Sequence, residues 1–309
     1  MTLRNETLQR VRTLAARQDH VLTTAQLHEA GVGRGTIRGM VRSGTWQRLA
    51  KGTFWVGHHP CGPSLRARVR GVLLTAGPHL VAAGPTAARL LDIQGLPNDD
   101  TLHFAAPPGH EIRGRPGLRV RRTLVPPEAR TSLRGILLTT PARTCADLLL
   151  HLPREAAVSS LDSALHQKLL TEADRLTVLS HLSGRPGAPR ARDWMRLADH
   201  RAESPLETRI RLICLDGGLP PPLLQWPIWD PHHRCGYRID LGWPHHLVAL
   251  EADGTGPHTT PQALYRDRTR QNRLACLLPG LTLFRFTWAD THTPEQSILT
   301  PLRQALRAP

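Results

Sequence analysis

Apolar positions along the chain change their period several times, and each change marks an element. Over residues 3–17, Leu3, Leu8, Val11, Leu14 and Ala15 recur at helical spacing. The run HVLTTAQLHEAGV follows, where Thr23 or Thr24 can cap a short helix that ends at Gly31. GRGTIRGMVRSG predicts a second short helix, and WQRLAKGTFWV predicts two short strands around Ala50–Gly52. Further on, LRARVRGVLLTAG is helical in pattern, while TLHFAAPPG and LRVRRTLV alternate as half-buried strands do. TTPARTCADLLLHLPREAAVSSLDSALHQKLL predicts two helices, and SGRPGAPRARD, rich in Gly, Pro and Arg, predicts a boundary. From Ser204 the signals sharpen. SPLETRIRLICLDGG has Ser204 as N-cap, Pro205 at the first helical position and Glu207 in the first turn. Strands are predicted at LLQWPIWD, GYRIDLGW and HLVALEADG, then a helix at LYRDRTRQNRLACLL, a strand at LTLFRFTW and a closing helix at PEQSILTPLRQAL.

These elements predict an α/β multidomain chain in three parts. Residues 1–59 have the order of a winged helix-turn-helix (α+β), 60–195 form a middle α+β domain, and 196–309 run α-β-β-β-α-β-α, the order of a restriction-endonuclease-like core. In a winged helix the second helix of the pair enters the major groove and the hairpin touches the DNA backbone. Arg34, Arg38 and Arg42 recur every four positions and share one face of that second helix; Arg48 and Lys51 fall on the hairpin. An arginine stripe is also what a solvated helix face looks like. The middle region carries no GxSxG, no phosphate-binding Gly-rich loop and no HExxH.

Charge sharpens this picture and also complicates it. The formal net charge is +15, a field that attracts phosphate backbones, anionic lipid or acidic proteins. Through His59 there are nine basic residues against three acidic ones (Glu6, Asp19, Glu29). Lysine occurs only at Lys51 and Lys168, so almost all of the basicity is arginine, as a G+C-rich coding sequence would also produce. Hydrophobic residues make up 40% of the chain, enough to build a core and to exclude global disorder. The five cysteines (Cys61, Cys145, Cys214, Cys235, Cys276) form no CxxC pair, which argues against a zinc ribbon or a disulfide framework. The polar start MTLRNETLQRVRTL is not a signal peptide, and no apolar stretch approaches the ~20 residues that span a bilayer. A soluble, cytoplasmic protein is expected, with no membrane partner; its oligomeric state is open.

Candidate chemistry lies in the last domain. Period-two reasoning sets Tyr237, Ile239 and Leu241 on one face and Arg238, Asp240 and Gly242 on the other. In the next strand Val248 and Leu250 are buried together, with Ala249, Glu251 and Asp253 opposite. A symmetric turn at Pro244–His246 places Asp240 directly across from Glu251, with Cβ atoms ~4.5–5.5 Å apart, where like charges repel. Such a pair needs a proton, a cationic side chain or a divalent ion. Oxygen-only ligands suit Mg²⁺ or Mn²⁺, with Glu207 as a further oxygen. The same register sets Arg238 across from Asp253, so Asp253 is equally readable as a salt-bridged strand residue. His232, His233 and Cys235 cluster in a Pro-rich loop without a second ligand pair; His245 and His246 read as turn residues; Trp226, Trp229, Trp243 and Trp288 read as core; Cys214 reads as packing.

The run SPLETRIRLI…YRIDLGWP…LVALEADG…YRDRTRQNRL…LTLFRFTW resembles, over about residues 203–290, an endonuclease-like domain family related to very-short-patch mismatch repair nucleases in the PD-(D/E)XK superfamily. The N-terminal part resembles the winged helix and following domain of AbiEi-type antitoxins from abortive-infection toxin–antitoxin systems. The first resemblance implies Asp240 and Glu251 as metal carboxylates, Glu207 as an auxiliary acid, and Asp253 where the superfamily usually carries lysine. It further implies a catalytic role for His258 and DNA contacts for Asp267 and Arg270. The region lacks lysine altogether, which leaves Arg238, Arg266 or His258 to stabilise charge; of these only His258 can act as a base at neutral pH. Thr255, Gly256 and Pro257 set His258 further from the Asp-Gly pair than the family's usual spacing. Two functions follow as expectations: a DNA-binding protein with a Mg²⁺- or Mn²⁺-dependent endonuclease domain, or a non-catalytic antitoxin-like transcriptional regulator with a degenerate nuclease domain. A third expectation is an interaction protein that neutralises a toxin through residues 60–195.

Overall fold

The computed structural model describes residues 4–77, 79–109, 114, 116–254 and 261–307. Contacts divide the chain into two compact units, one of residues 1–92 and 98–147 and one of 93–97 and 148–309. The boundaries drawn from sequence at 59/60 and 195/196 fall inside these units.

The first unit starts with α1 (Asn5–Ala16), β1 (Val21–Thr23), α2 (Thr24–Glu29), α3 (Arg34–Arg42), β2 (Gln47–Ala50) and β3 (Thr53–Trp55). The strands form an antiparallel sheet in the order β1-β3-β2. Strand β1 escapes sequence reading because three residues are too few to show an alternation. Thr23 ends that strand and caps α2. Its hydroxyl accepts the Gln26 N–H at 3.2 Å while the Gln26 side chain accepts the Thr23 N–H at 2.9 Å, a reciprocal capping box. Val11, Leu22, Leu27, Ile37, Trp46 and Phe54 close the core between helices and sheet.

Helix α4 (Leu65–Ala76) belongs physically with that sheet. Asp19 receives Arg66 at 2.5 Å and Arg70 at 2.6 Å from the helix. The Thr53 hydroxyl donates to the Gly71 carbonyl at 3.1 Å. Glycine is required at 71, because a Cβ there would lie 2.8 Å from the Leu49 Cβ. The other side of α4 buries Val69 and Val72 against Phe104 and Leu138 of a second, five-stranded sheet. This sheet runs β6-β5-β4-β8-β7, from β4 (Val81–Ala82), β5 (Leu102–Ala106), β6 (Leu118–Arg122), β7 (Arg130–Leu133) and β8 (Ile136–Thr139), with α5 (Gly84–Leu90) against it. Helix α6 (Pro141–His151) carries the chain across the division.

The second unit opens with α7 (Arg154–His166), α8 (Arg175–Leu182) and α9 (Ala188–Arg196). SGRPGAPRARD is therefore not a plain boundary. Gly187 takes a left-handed conformation that starts α9, and Ala188, Ala191 and Met195 bury one side of that helix, a periodicity its Gly, Pro and Arg content conceals. The remaining elements are α10 (Pro205–Asp216), β9 (Leu223–Asp230), β10 (Cys235–Trp243), β11 (Val248–Ala252), α11 (Pro261–Leu277), β12 (Thr282–Phe286) and α12 (Thr300–Arg307), in the predicted α-β-β-β-α-β-α order. Their sheet runs β12-β11-β10-β9, antiparallel except for the parallel pair β11–β12.

Two apolar layers flank this sheet. Leu241, Trp243, Val248, Leu250 and Phe286 pack on Leu206, Ile210 and Cys214 of α10 and on Leu302 of α12. Ile228, Ile239 and Ala249 pack on Leu274 of α11. Ile239 and Leu241 thus enter different layers, against the strict alternation expected of β10. Pairing with β9 passes from Ile239↔Trp226 to Leu241↔Leu224 over Asp240 and Gln225, and Gln225 has a φ of +52°. Strand β10 is therefore irregular at Asp240. Trp243 is buried as expected, but Trp229 and Trp288 are 63% and 45% exposed and are not core. Cys214 is buried, and desolvation pushes its thiol up to about 12. No helix among the described residues is long and apolar enough to cross a membrane.

Candidate functional site

In the first unit, Gly33 starts α3 and Ile37 anchors its inner side, which leaves Arg34, Arg38 and Arg42 exposed. None of the three forms an ion pair among the described residues, and each keeps five N–H donors for a partner. The β2–β3 hairpin follows, turning at Lys51–Gly52 with Gly52 at φ +72°. Arg48 pairs with Phe54 across it and holds its guanidinium 5.5 Å from the ring centroid. Arg48 and Lys51 are exposed. The five basic residues singled out from sequence therefore lie on one helix and the hairpin that follows it, open to solvent.

The acidic cluster lies in the second unit. Register pairs Leu241 with Leu250 and Gly242 with Ala249 and stops at Leu241, one residue before Asp240, so the expected pairing of Asp240 with Glu251 is not part of the ladder. The turn is tightened by Leu247 in a left-handed conformation after the 3-10 segment Pro244–His246. Asp240 Oδ2 accepts the Ala252 N–H at 2.8 Å. Burial, then the neighbouring charges of Glu207 and Glu251, push the Asp240 carboxyl up to about 6. Glu207 sits where the capped start of α10 puts it: Ser204 Oγ accepts its N–H at 3.2 Å. Its Oε2 accepts the Glu203 N–H at 3.0 Å and Gln225 Nε2 at 2.7 Å. Burial raises the Glu207 carboxyl above its ordinary value.

Glu251 is buried, and arginines answer both of its oxygens. Arg270 Nη2 lies 2.5 Å from Oε1, and Arg285 Nε lies 3.8 Å from Oε2. Arg285 faces Glu251 in the parallel register and also reaches Asp253 at 3.3 Å and Asp267 at 2.6 Å. Arg238 does not pair with Asp253 as the register suggested. It turns to Glu203, 2.6 Å away, because Arg285 from β12 already neutralises Asp253. Asp267 and Arg270, assigned to DNA by resemblance, are both engaged within this network. His258 lies outside the described residues. His233 Nδ1 is 2.7 Å from Asp230 Oδ2, and Asp230 also accepts the N–H groups of His232 and His233, which makes that loop a tied hairpin.

Among the described residues, no three His, Cys, Asp or Glu side chains gather as a metal-holding set. Mg²⁺ demands near-octahedral oxygen donors and usually keeps several waters. Here Glu251 faces two arginines, and one oxygen each of Asp240 and Glu207 accepts N–H donors, so the set as placed does not fit that ion. Sequence reading missed Arg285, Gln225 and the buried Asp162 of α7. Asp162 accepts Thr208 Oγ1, Arg211 Nη2 and the Asp199 N–H, each at 2.7 Å. Arg285 had a visible signal, a lone charge inside the apolar run LTLFRFTW; Asp162 had none in its own neighbourhood.

Comparison with known proteins gives these parts a context. Residues 9–55 match a family described as "Transcriptional regulator, AbiEi antitoxin", and residues 81–197 match the "AbiEi antitoxin C-terminal domain". Neither match reaches beyond residue 197. Uncharacterized proteins MT2308 and Rv2248, from two strains of Mycobacterium tuberculosis, are each 34% identical over 212 residues, which is 69% of this chain and 76% of theirs. The crystal structure of the RV2827C protein from Mycobacterium tuberculosis aligns at 20% identity with a TM-score of 0.43, covering 74% of this chain and 90% of that one. On that identity and coverage the chain belongs to the same family as the two mycobacterial proteins, with AbiEi antitoxin domains over residues 9–55 and 81–197.

Proposed function

We propose that the protein is a DNA-binding transcriptional regulator of the AbiEi antitoxin type, whose residues 4–56 act as a winged helix. Helix α3 enters the major groove with Arg34, Arg38 and Arg42, and the β2–β3 hairpin lays Arg48 and Lys51 on the backbone. The observation that carries this reading is the unpaired, exposed set of guanidinium groups on α3 beside a basic hairpin, inside the stretch that matches the regulator family. A cognate toxin is the protein partner this reading entails. The endonuclease reading has less support, since Glu251, one of the carboxylates it needs, is held by Arg270 and Arg285.

Fluorescence anisotropy with duplex DNA from upstream of the protein's own reading frame tests the proposal. The R34A/R38A/R42A protein is expected to bind at least about tenfold more weakly than the wild type at fixed salt. Undiminished binding by a folded triple variant would remove α3 from the interface. Plasmid incubated with Mg²⁺ or Mn²⁺ is expected to be nicked no faster by the wild type than by D240A. A D240A-sensitive nicking activity would restore the endonuclease reading.

A further inference from the structure

A cleft of about 350 Å³ opens within the first unit, beside strand β2. Its lining is mostly apolar: Leu49 of β2, Val72 of α4, Leu102 of β5 and Leu118 of β6 meet there, with Pro63 and Pro116. Val72, Leu102 and Leu118 are members of the buried core, so this floor is fixed by packing. Gln47 and Arg68 bring polar groups to it, and no acidic residue lines it. Arg48 also borders the cleft, but its guanidinium is turned to the Phe54 ring. An apolar hollow of this size with few polar groups is the usual form of a small-molecule site. The run LRARVRG explains why Arg68 is there. Arg66 and Arg70, four apart, share the face of α4 that meets Asp19, and Arg68 between them falls on the other face. Its Nη2 donates to the Asp100 carbonyl at 2.5 Å, which fixes the guanidinium. Its ionic partner is the Asp100 carboxylate at 3.4 Å, a side chain 97% exposed. An ion pair held that far out in water contributes little.

We propose that this cleft binds a small organic anion with an apolar body, of the class of short- to medium-chain monocarboxylates. The ligand carboxylate takes N–H donors of Arg68 in place of the exposed Asp100 carboxylate, and the hydrocarbon lies on Leu49, Val72, Leu102 and Leu118. A guanidinium presents its donors as a planar fork that matches a carboxylate, and it keeps its charge at neutral pH. The same contact is stronger beside an apolar floor than in open water, because the surroundings are less polarisable. Charge selects the anion and the floor selects its apolar part. The site does not depend on the DNA-binding reading, which rests on the basic side chains of α3 and the hairpin.

Isothermal titration calorimetry of the full chain with hexanoate as the probe tests it, with hexanamide as the uncharged control. Wild-type protein is expected to bind hexanoate saturably at one site, in the millimolar range, and hexanamide about tenfold or more weakly. R68Q is expected to bind hexanoate about tenfold more weakly than wild type, and R68K to fall between the two. R12Q, which removes an exposed charge on α1, is expected to bind hexanoate as wild type does. Far-UV circular dichroism checks that R68Q is folded; for an unfolded R68Q, the comparison of the two probes on wild type and on R68K decides the matter. The proposal is overturned if wild type shows no saturable hexanoate binding up to about 10 mM. Equal affinity for hexanoate and hexanamide overturns it too, as does undiminished hexanoate binding by a folded R68Q. An equal loss in R12Q would show a response to net charge and not to this cleft, and is equally fatal.

Discussion

Asp240 shows what its surroundings do to a single carboxyl. Burial and two acidic neighbours raise it from 3.8 to about 6. An acid whose folded value exceeds its unfolded one holds its proton more tightly when folded, so ionising it weakens the fold. That penalty is absent below pH 4, develops as pH rises from 4 to 6, and is complete above 6. Asparagine removes the charge and keeps an oxygen for the Ala252 N–H. D240N is therefore expected to be more stable than wild type by about 1–2 kcal/mol at pH 7.5 and indistinguishable at pH 4. Urea unfolding at the two pH values checks this, and a D240N that is less stable at pH 7.5 would show that the carboxylate charge is needed there. That Asp240 and Glu251 share a neighbourhood was legible, because both flank one short turn. Sequence concealed what each carboxylate binds, because Arg270 and Arg285 arrive from α11 and β12, and local periodicity carries no information about which distant side chain arrives.

At the scale of elements, capped and periodic helices were legible and their reasons for meeting were not. Helix α10 could be read from Ser204, Pro205 and Glu207; its junction with α7 could not. There Asp162 accepts three donors, one of them from Arg211, whose Nη1 also reaches the Leu197 carbonyl at 2.7 Å. Asp162 is 1% exposed and Arg211 8%, and burial pushes the Asp162 carboxyl up to about 6. Truncating one partner leaves the other charge buried and alone. D162A is accordingly expected to cost about 3–5 kcal/mol, and D162L/R211M, which removes both charges at similar volume, to cost clearly less than D162A. Denaturant midpoints decide it; a double variant as unstable as D162A would mean that the polar geometry, not charge pairing, joins these helices. Gly71 makes the same point about glycine. Its place in a helical pattern was visible, but its cause is the approach of Leu49 from β2, which no reading of α4 alone reveals.

At the scale of the whole chain, the question is how much of the net charge of +15 serves binding. An arginine-rich composition spreads charge everywhere, and many of these arginines are consumed internally: Arg66 and Arg70 on Asp19, Arg211 on Asp162, Arg270 on Glu251, Arg285 on Glu251, Asp253 and Asp267. Net charge therefore overstates the footprint, and salt dependence measures it directly. Each phosphate neutralised on duplex DNA contributes about −0.9 to the slope of log K against log salt. If Arg34, Arg38, Arg42, Arg48 and Lys51 each meet a phosphate, the slope is about −4.5, and R34A/R38A/R42A brings it to about −1.8. Charge attraction spread over the surface would behave differently, because deleting three of many arginines would lower affinity slightly and leave the slope nearly unchanged. Anisotropy titrations of wild type and triple variant between 50 and 200 mM salt, where such slopes are steep, separate the two cases. A slope near −4.5 that falls by more than half in the variant assigns the working charge to α3 and its hairpin, and an unchanged slope assigns it elsewhere.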